Sequence, residues 1–405
     1  MRIAYFTNFY LPVVNGVVRS VQFFRKALSD LGHNVFVFAQ EDDYEDQEPF
    51  IFRYPSLWLP PPVDIPTALP VSSFVDQLIP RLKLDVMHTH HPFLLGQAAA
   101  GKAHEHNLPL VFTFHTQYQE YTHYVPFSQE QVQEFLRNRV MNWMREFMRK
   151  CQHIIIPSES MRSVLVEKYG LVDRYTVIPT GVDTGPFKKA DGSALRAEWG
   201  WEGDKIIVSA GRLAEEKNWT TLLQAFALAQ KKRTRLRLVL VGDGPQAESL
   251  RQLAGELGVA DRVLFAGKVP FDRVPAYLKA ADLFAFASVT ETQGLVTLEA
   301  MAAGLPVVAV DGSGTRDILE NGAQGFLVDN EPNDLAKGIL KVFKSPSLMG
   351  DLRAAALKKS RAYDSKRLAR KLLKVYEQAI EDKKEGLFVN IEESAEPTNT
   401  QQVAA

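Results

Sequence analysis

A single cysteine, Cys151, stands among 405 residues. No disulfide can close within the chain, and a reducing compartment is expected. No run of about 18 apolar residues occurs, so no membrane-spanning helix is expected. The opening MRIAYFTN has no basic region followed by a long apolar stretch, so no signal peptide is expected either. Excess charge of one sign is also missing. Lys and Arg total 47 against 48 Asp and Glu, a formal net charge of −1, which gives no whole-chain field for nucleic acid. From residue 386 onward Lys and Arg disappear, while Glu392, Glu393 and Glu396 remain. That polar stretch, 386–405, is expected to be a disordered tail. The bulk composition, 46% apolar and 23% charged, is ordinary for a folded soluble protein. The length suggests two domains. A cytoplasmic protein is expected, and any membrane contact would be peripheral.

Strand-like and helix-like segments alternate along the chain. RIAYFTN is followed by Val17, Val18, Val21, Phe24, Leu28 and Leu31 at helical spacing, then by Gly32 and the strand NVFVFAQ. LDVMHTH, LPLVFTFH and HIIIPS are further strands, and 128–150 is expected to be helical. EDDYEDQE (41–48) and PSLWLPPPVDIP (55–66) are expected as exposed loop. The pattern resets at VDTGPFKKADGSA, a Gly-, Lys- and Asp-rich linker. A second series follows: KIIVSAGRL, LRLVLVGDG, DRVLFAGKV, DLFAFAS and LPVVAV. Short, continuously apolar strands between helices imply parallel sheets covered on both faces. The expected fold class is therefore α/β with two doubly wound domains. In such sheets ligands sit outside the carboxyl ends of the strands.

Candidate chemistry lies at those ends. SAGRLAEEKN puts Arg212 and Lys217 directly after a strand, at the opening of a helix. Two cations there suit a phosphate, although solvated surface charges explain the spacing as well. In VTETQGLVTLEAMAAG, Glu291 follows the strand DLFAFAS and Glu299 falls in the first turns of the next helix. Backbone N–H groups of Gln293, Gly294 and Leu295 would point outward, and Gly294 permits close approach. Carboxylates accept from sugar hydroxyls and the helix start attracts negative charge, so a nucleotide sugar fits. Glu299 among apolar neighbours argues against a merely solvated face.

GRLAEEKN, then ETQGLVTLE with its two acids eight apart, then AMAAGLPVVA resembles the donor domain of glycosyltransferase family 4. FYLPVVNGVVRSVQFFRKALSDLGHNV resembles that family's opening glycine loop and helix. The resemblance covers roughly residues 1–385. It implies a GT-B fold, with two Rossmann-like domains facing a cleft and a C-terminal helix crossing back to the first. Implied boundaries are 1–185 for the acceptor domain, 186–362 for the nucleotide-sugar domain, 363–385 for the helix and 386–405 for the tail. It implies retaining transfer of a hexose, with no cofactor required beyond the nucleotide sugar and no essential metal. The absence of any Asp-x-Asp pair is consistent with this. It implies that Asn15 and Gly16 approach the distal phosphate and that Arg212 and Lys217 hold the diphosphate. Glu291, Thr292, Gln293, Gly294 and Leu295 would meet the hexose, Glu299 the ribose, and His115 the hexose from the acceptor side. Many family members carry an aromatic residue where Gln293 stands. TETQGL, with HTHHPFLLG and FTFHTQYQEYTHYVP, is similar to diacylglycerol glucosyltransferases. That implies UDP-glucose as donor, diacylglycerol as acceptor and a place at the inner face of an anionic membrane.

Other readings stay open. His88, His90 and His91 end one strand and His115 another, so a zinc site is conceivable. His91 and Tyr118 are acceptor-side candidates. On the 128–150 helix Leu136, Val140, Met141, Trp143, Met144, Phe147 and Met148 share an arc, opposite Arg139, Arg145, Arg149 and Lys150. The arc is expected to pack inward, with Arg139, Arg145 and Arg149 facing lipid headgroups; Trp58 is a second membrane candidate. A different donor such as UDP-galactose or GDP-mannose, a soluble or polymeric acceptor, and an inactive nucleotide-sugar-binding regulator are the alternatives. Oligomeric state is not legible.

Overall fold

Each expected strand series forms one parallel sheet. The computed structural model describes residues 1–13, 15–42, 44–58, 66–118 and 130–392. The chain divides into two units, one of residues 1–178 with 369 onward, the other Pro179–Leu368.

The strands of the first unit are β1 (Arg2–Thr7), β2 (Asn34–Gln40), β3 (Ile51–Tyr54), β4 (Ser56–Trp58), β5 (Pro66–Ala68), β6 (Val86–Thr89), β7 (Leu110–Thr113), β8 (His153–Ile156) and β9 (Tyr175–Val177). Seven of them make a sheet in the order β3-β2-β1-β6-β7-β8-β9. The second unit contributes β10 (Lys205–Ala210), β11 (Leu236–Val241), β12 (Val263–Gly267), β13 (Leu283–Phe286), β14 (Val307–Val310) and β15 (Gly325–Val328). Their order is β12-β11-β10-β13-β14-β15. Strand order thus reverses between β1 and β6 in one sheet and between β10 and β13 in the other, the points at which doubly wound sheets bind ligands. Strand interiors such as those of β6 and β13 are buried throughout, because helices cover both faces.

The C-terminal helix, Ser365–Lys384, buries Leu368, Ala369, Leu372, Val375, Tyr376 and Ala379, one stripe at helical spacing. From residue 369 it belongs to the first unit. The Tyr376 hydroxyl lies 2.8 Å from His88 Nδ1, and His88 Nε2 lies 2.7 Å from Thr113 Oγ1. A histidine inside a buried strand is thereby satisfied at both nitrogens.

Four sequence expectations change. The units part at 178 and 368, not at 185 and 362. The 182–194 linker instead contains two short helices, Gly185–Lys189 and Ser193–Glu198. The ring of Phe187, 4% exposed, joins the core against Ile206 and Val208 and overrides its polar neighbours. In the expected loop 55–66, β4 and β5 pair antiparallel; residues 59–65 lie outside the described residues. The tail does not begin at 386. Val389 N–H donates to Cys151 O and Glu392 N–H to Gly170 O, both at 2.9 Å, while Ile391 bridges Leu171. Leu387, Val389 and Ile391 alternate with exposed residues, a period-2 strand signal that the missing cations concealed. Residues 393–405 lie outside the described residues. Ile391→Ala is therefore expected to lower unfolding stability by about 2–4 kcal/mol. A denaturant midpoint equal to wild type would show that 386–392 contributes nothing.

Candidate active site

The second unit places Arg212, Lys217 and Glu291 at the β10/β13 switch point. Arg212 lies two residues past β10 on a loop pressed against the loop after β11. A Cβ on Gly242 would come 1.9 Å from Gly211 O, and one on Gly244 would come 2.5 Å from Leu213 O. Only glycine allows that approach. Leu213 N–H donates to Asp243 O at 3.0 Å and Trp219 Nε1–H to Arg212 O at 2.9 Å. The Arg212 backbone is thus held from both sides while its side chain is exposed. Lys217 closes the single turn Glu215–Lys217. Its Nζ meets Glu291 Oε1 at 2.5 Å across the switch point, with the two side chains 22% and 14% exposed. Such a half-buried pair can exchange one partner for a ligand anion.

The loop between β13 and the helix Leu295–Ala302 carries Glu291, Thr292 and Gln293. Gly294 caps the helix at φ +74°, a left-handed conformation open to glycine at no steric cost. Thr292 and Leu295 are half-buried beside it. Glu299, 3% exposed, sits one turn into the helix, where burying an unpartnered carboxyl would be costly. Gln293 commits its side chain to the fold. Its Oε1 accepts from Thr180 N–H at 2.7 Å and its Nε2 donates to Thr180 O at 2.6 Å. The side-chain amide is spent on the backbone of one residue, whereas the sequence expectation concerns the backbone N–H of Gln293.

Two glycine loops escaped the sequence reading: VGDGP after β11 and DGSGT after β14. Ser313 Oγ donates to Glu291 O at 3.2 Å, and Thr290 and Ser313 form a parallel bridge. A Cβ on Gly314 would lie 2.5 Å from Glu291 O and 2.7 Å from Gln293 N. Gly-x-Gly pairs at two strand ends were the available signal.

At the first unit's switch point, Asn15 caps the helix Gly16–Ser29, with its Oδ1 accepting from Val18 N–H at 2.9 Å. His91 Nδ1 accepts from Asn8 N–H at 3.1 Å, which leaves the neutral ring's proton on Nε2. His90 Nδ1 and His115 Nε2 are 2.9 Å apart. These bonds, with those of His88, commit the histidines to one another and to the fold. Among the described residues no group of three or more His, Cys, Asp or Glu could hold a metal ion. Tyr118 packs edge-on to Phe93 at 4.8 Å, and Trp143 stacks on the other side at 3.9 Å. Met144, Phe147 and Met148 are core, as the inward reading of their arc expects. Arg145 donates to the Tyr169 and Lys168 carbonyls, and Arg149 to Ile391 O, so both guanidinium groups serve the fold. Arg139 is exposed. Trp58 lies in β4.

Burial pushes His91 and His115 down to about 3, and His88 and His90 well below the ordinary imidazole range. All four are neutral near pH 7. Because the folded state binds these protons less readily than the unfolded chain, their contribution to stability is present above about pH 6.5 and is lost as pH falls towards 3. Unfolding free energy is expected to fall by up to about 1.4 kcal/mol per pH unit for each histidine in that window. Denaturant titrations at pH 7, 6, 5 and 4 check this; His91→Asn should reduce the slope, and an unchanged slope would contradict the burial of His91.

The chain is similar to known proteins over most of its length. The family model "Glycosyl transferases group 1" matches residues 192–359 and "Glycosyltransferase Family 4" matches 14–185. An alpha-monoglucosyldiacylglycerol synthase of Streptococcus pneumoniae is 34% identical over 84% of this chain and 78% of its own length. One of Acholeplasma laidlawii is 30% identical over 87% and 90%. A GDP-mannose-dependent alpha-mannosyltransferase of Corynebacterium glutamicum is 29% identical over 81% and 77%. Among solved structures, Anabaena HepE in complex with UDP and glucose superposes with a TM-score of 0.73 at 22% identity, covering 92% of this chain and 98% of that one. At that identity the likeness speaks for the fold, which is GT-B. The chain belongs to the family 4 glycosyltransferases.

Proposed function

We propose that this protein is a retaining hexosyltransferase moving glucose from UDP-glucose to 1,2-diacylglycerol at the inner face of the membrane. The observation that carries the reading is the Lys217–Glu291 pair at 2.5 Å, bridging the carboxyl ends of β10 and β13. A cation for a diphosphate and an acid for sugar hydroxyls stand side by side there. Arg212 and Lys217 hold the diphosphate and stabilise the charge it gains as it leaves. Glu291 and the amides at Gln293, Gly294 and Leu295 hold the hexose, Glu299 the ribose, and His115 a hexose hydroxyl. The amino end of the Asn15-capped helix has the polarity to serve a phosphate. The C1–O bond to phosphate breaks and a C1–O bond to the acceptor forms on the same face. The departing phosphate takes the acceptor's proton, so no side-chain nucleophile and no metal is required. The diacylglycerol acceptor and UDP-glucose donor rest on the names of the two synthases and on the UDP and glucose in the HepE complex. No helix among the described residues is long and apolar enough to cross a membrane, so the acceptor would be met from the surface.

Labelled UDP-glucose, UDP-galactose and GDP-mannose, each offered with and without diacylglycerol in anionic liposomes, test the reading. Label should enter the organic phase from UDP-glucose, with an α-linked product by proton NMR. Label confined to water-soluble product removes the lipid acceptor. Preference for GDP-mannose, the donor in the Corynebacterium relative's name, would replace glucose with mannose.

A further inference from the structure

A neutral imidazole carries one N–H, and its neighbours decide which nitrogen holds it. His90, at the carboxyl end of β6, is 1% exposed. Its Nδ1 faces His115 Nε2 at 2.9 Å, the rings stacked at 25°. Its Nε2 is buried and has no hydrogen-bond partner among the described residues. His88 lies against it with ring centroids 4.4 Å apart, and Tyr5 meets it edge-on at 4.8 Å, so the ring cannot turn to find another partner.

Two proton arrangements satisfy the single His90–His115 bond. If His115 Nε2–H donates, His90 must keep its own proton on Nε2, a buried donor with nothing to bond. If His90 Nδ1–H donates, His90 Nε2 is a bare acceptor and His115 must carry its proton on Nδ1. Orphaned buried N–H groups are rarer than under-satisfied acceptors, and an unsatisfied donor carries its full desolvation cost. The second arrangement wins.

We propose that His90 is a positioning residue that, by donating from Nδ1, locks His115 as the Nδ1–H tautomer and makes it a hydrogen-bond donor to the hexose. The second half of this rests on the reading above that His115 meets the sugar. The lock has a chemical consequence. With its Nε2 lone pair engaged by His90 and its Nδ1 already protonated, His115 has no free lone pair to accept the acceptor hydroxyl's proton. It orients the sugar and is not a base.

The full chain, labelled with 15N at histidine, tests the lock by long-range proton–nitrogen correlation, with His115 assigned by its loss in His115→Asn. The expected result is a pyrrole-type shift at His115 Nδ1 and a pyridine-type shift at Nε2, with and without UDP. The reverse pattern overturns the proposal. His90→Asn keeps an N–H donor near the Nδ1 position and should retain both the tautomer and most of kcat/KM. His90→Leu should release His115 into a tautomer mixture and lower kcat/KM about 10- to 100-fold. An unchanged spectrum and rate in His90→Leu would also overturn it. If the spectrum is as expected but His115→Leu turns over normally, the lock stands and the sugar contact is what fails.

Discussion

Arg212→Ala is expected to cut kcat by about 10²–10³ while leaving the melting temperature unchanged. Trp219 and the β11 loop hold the Arg212 backbone, and alanine leaves those backbone bonds in place while taking away a charge. On the proposed mechanism the diphosphate gains negative charge only as the C1–O bond breaks, so kcat should fall more than KM rises. Lys217→Ala should lose at least as much, and it should also lower stability, because it takes the cation at 2.5 Å away from Glu291, 14% exposed. Lys217→Ala combined with Glu291→Gln should recover that stability but no activity. Steady-state kinetics beside thermal melts on the four proteins decide the matter. Wild-type kcat in Arg212→Ala and Lys217→Ala would place the diphosphate elsewhere.

Gly314→Ala should be nearly as damaging without touching a charge. The new methyl would sit 2.5 Å from Glu291 O and 2.7 Å from Gln293 N, at a φ of +74°. Neither backbone atom can yield independently, since Ser313 also bonds Glu291 O and the Gln293 side chain is fixed to Thr180. The donor loop must move as a body by a fraction of an ångström to an ångström. Misplacements of that size cost about 10²-fold in rate, and the left-handed backbone adds roughly 1–2 kcal/mol of strain. Gly350, whose Cβ would meet nothing within 4 Å, supplies the control: Gly350→Ala should be silent. Full activity in Gly314→Ala would mean that the loop is not positioned from this side.

The sequence made the strands legible because continuous apolar runs have one good solution, a covered parallel sheet, and the two switch points follow from their order. It placed Arg212, Lys217, Glu291 and Glu299 on the correct elements, since strand ends and helix starts have local signatures. What it did not reveal depends on long-range pairing. The bonds between the Gln293 side chain and the backbone of Thr180, 113 residues away, have no local signature. Arg145 and Arg149 look like a lipid-facing stripe until the carbonyls of 168, 169 and 391 claim them. The tail was misjudged for a simpler reason: charge was weighed and alternation was not.

The bond between Gln293 and Thr180 bears on how this protein can be recombined. Thr180 lies two residues beyond the last residue of the first unit, Ile178, so the first residues of the second unit already hold the loop that carries Gln293. A chimera joined downstream of Thr180 would import a foreign connector into that loop, and one joined at 178/179 would keep the native match. Replacing the first unit preserves the Gln293–Thr180 bonds only if the junction stays upstream of Thr180.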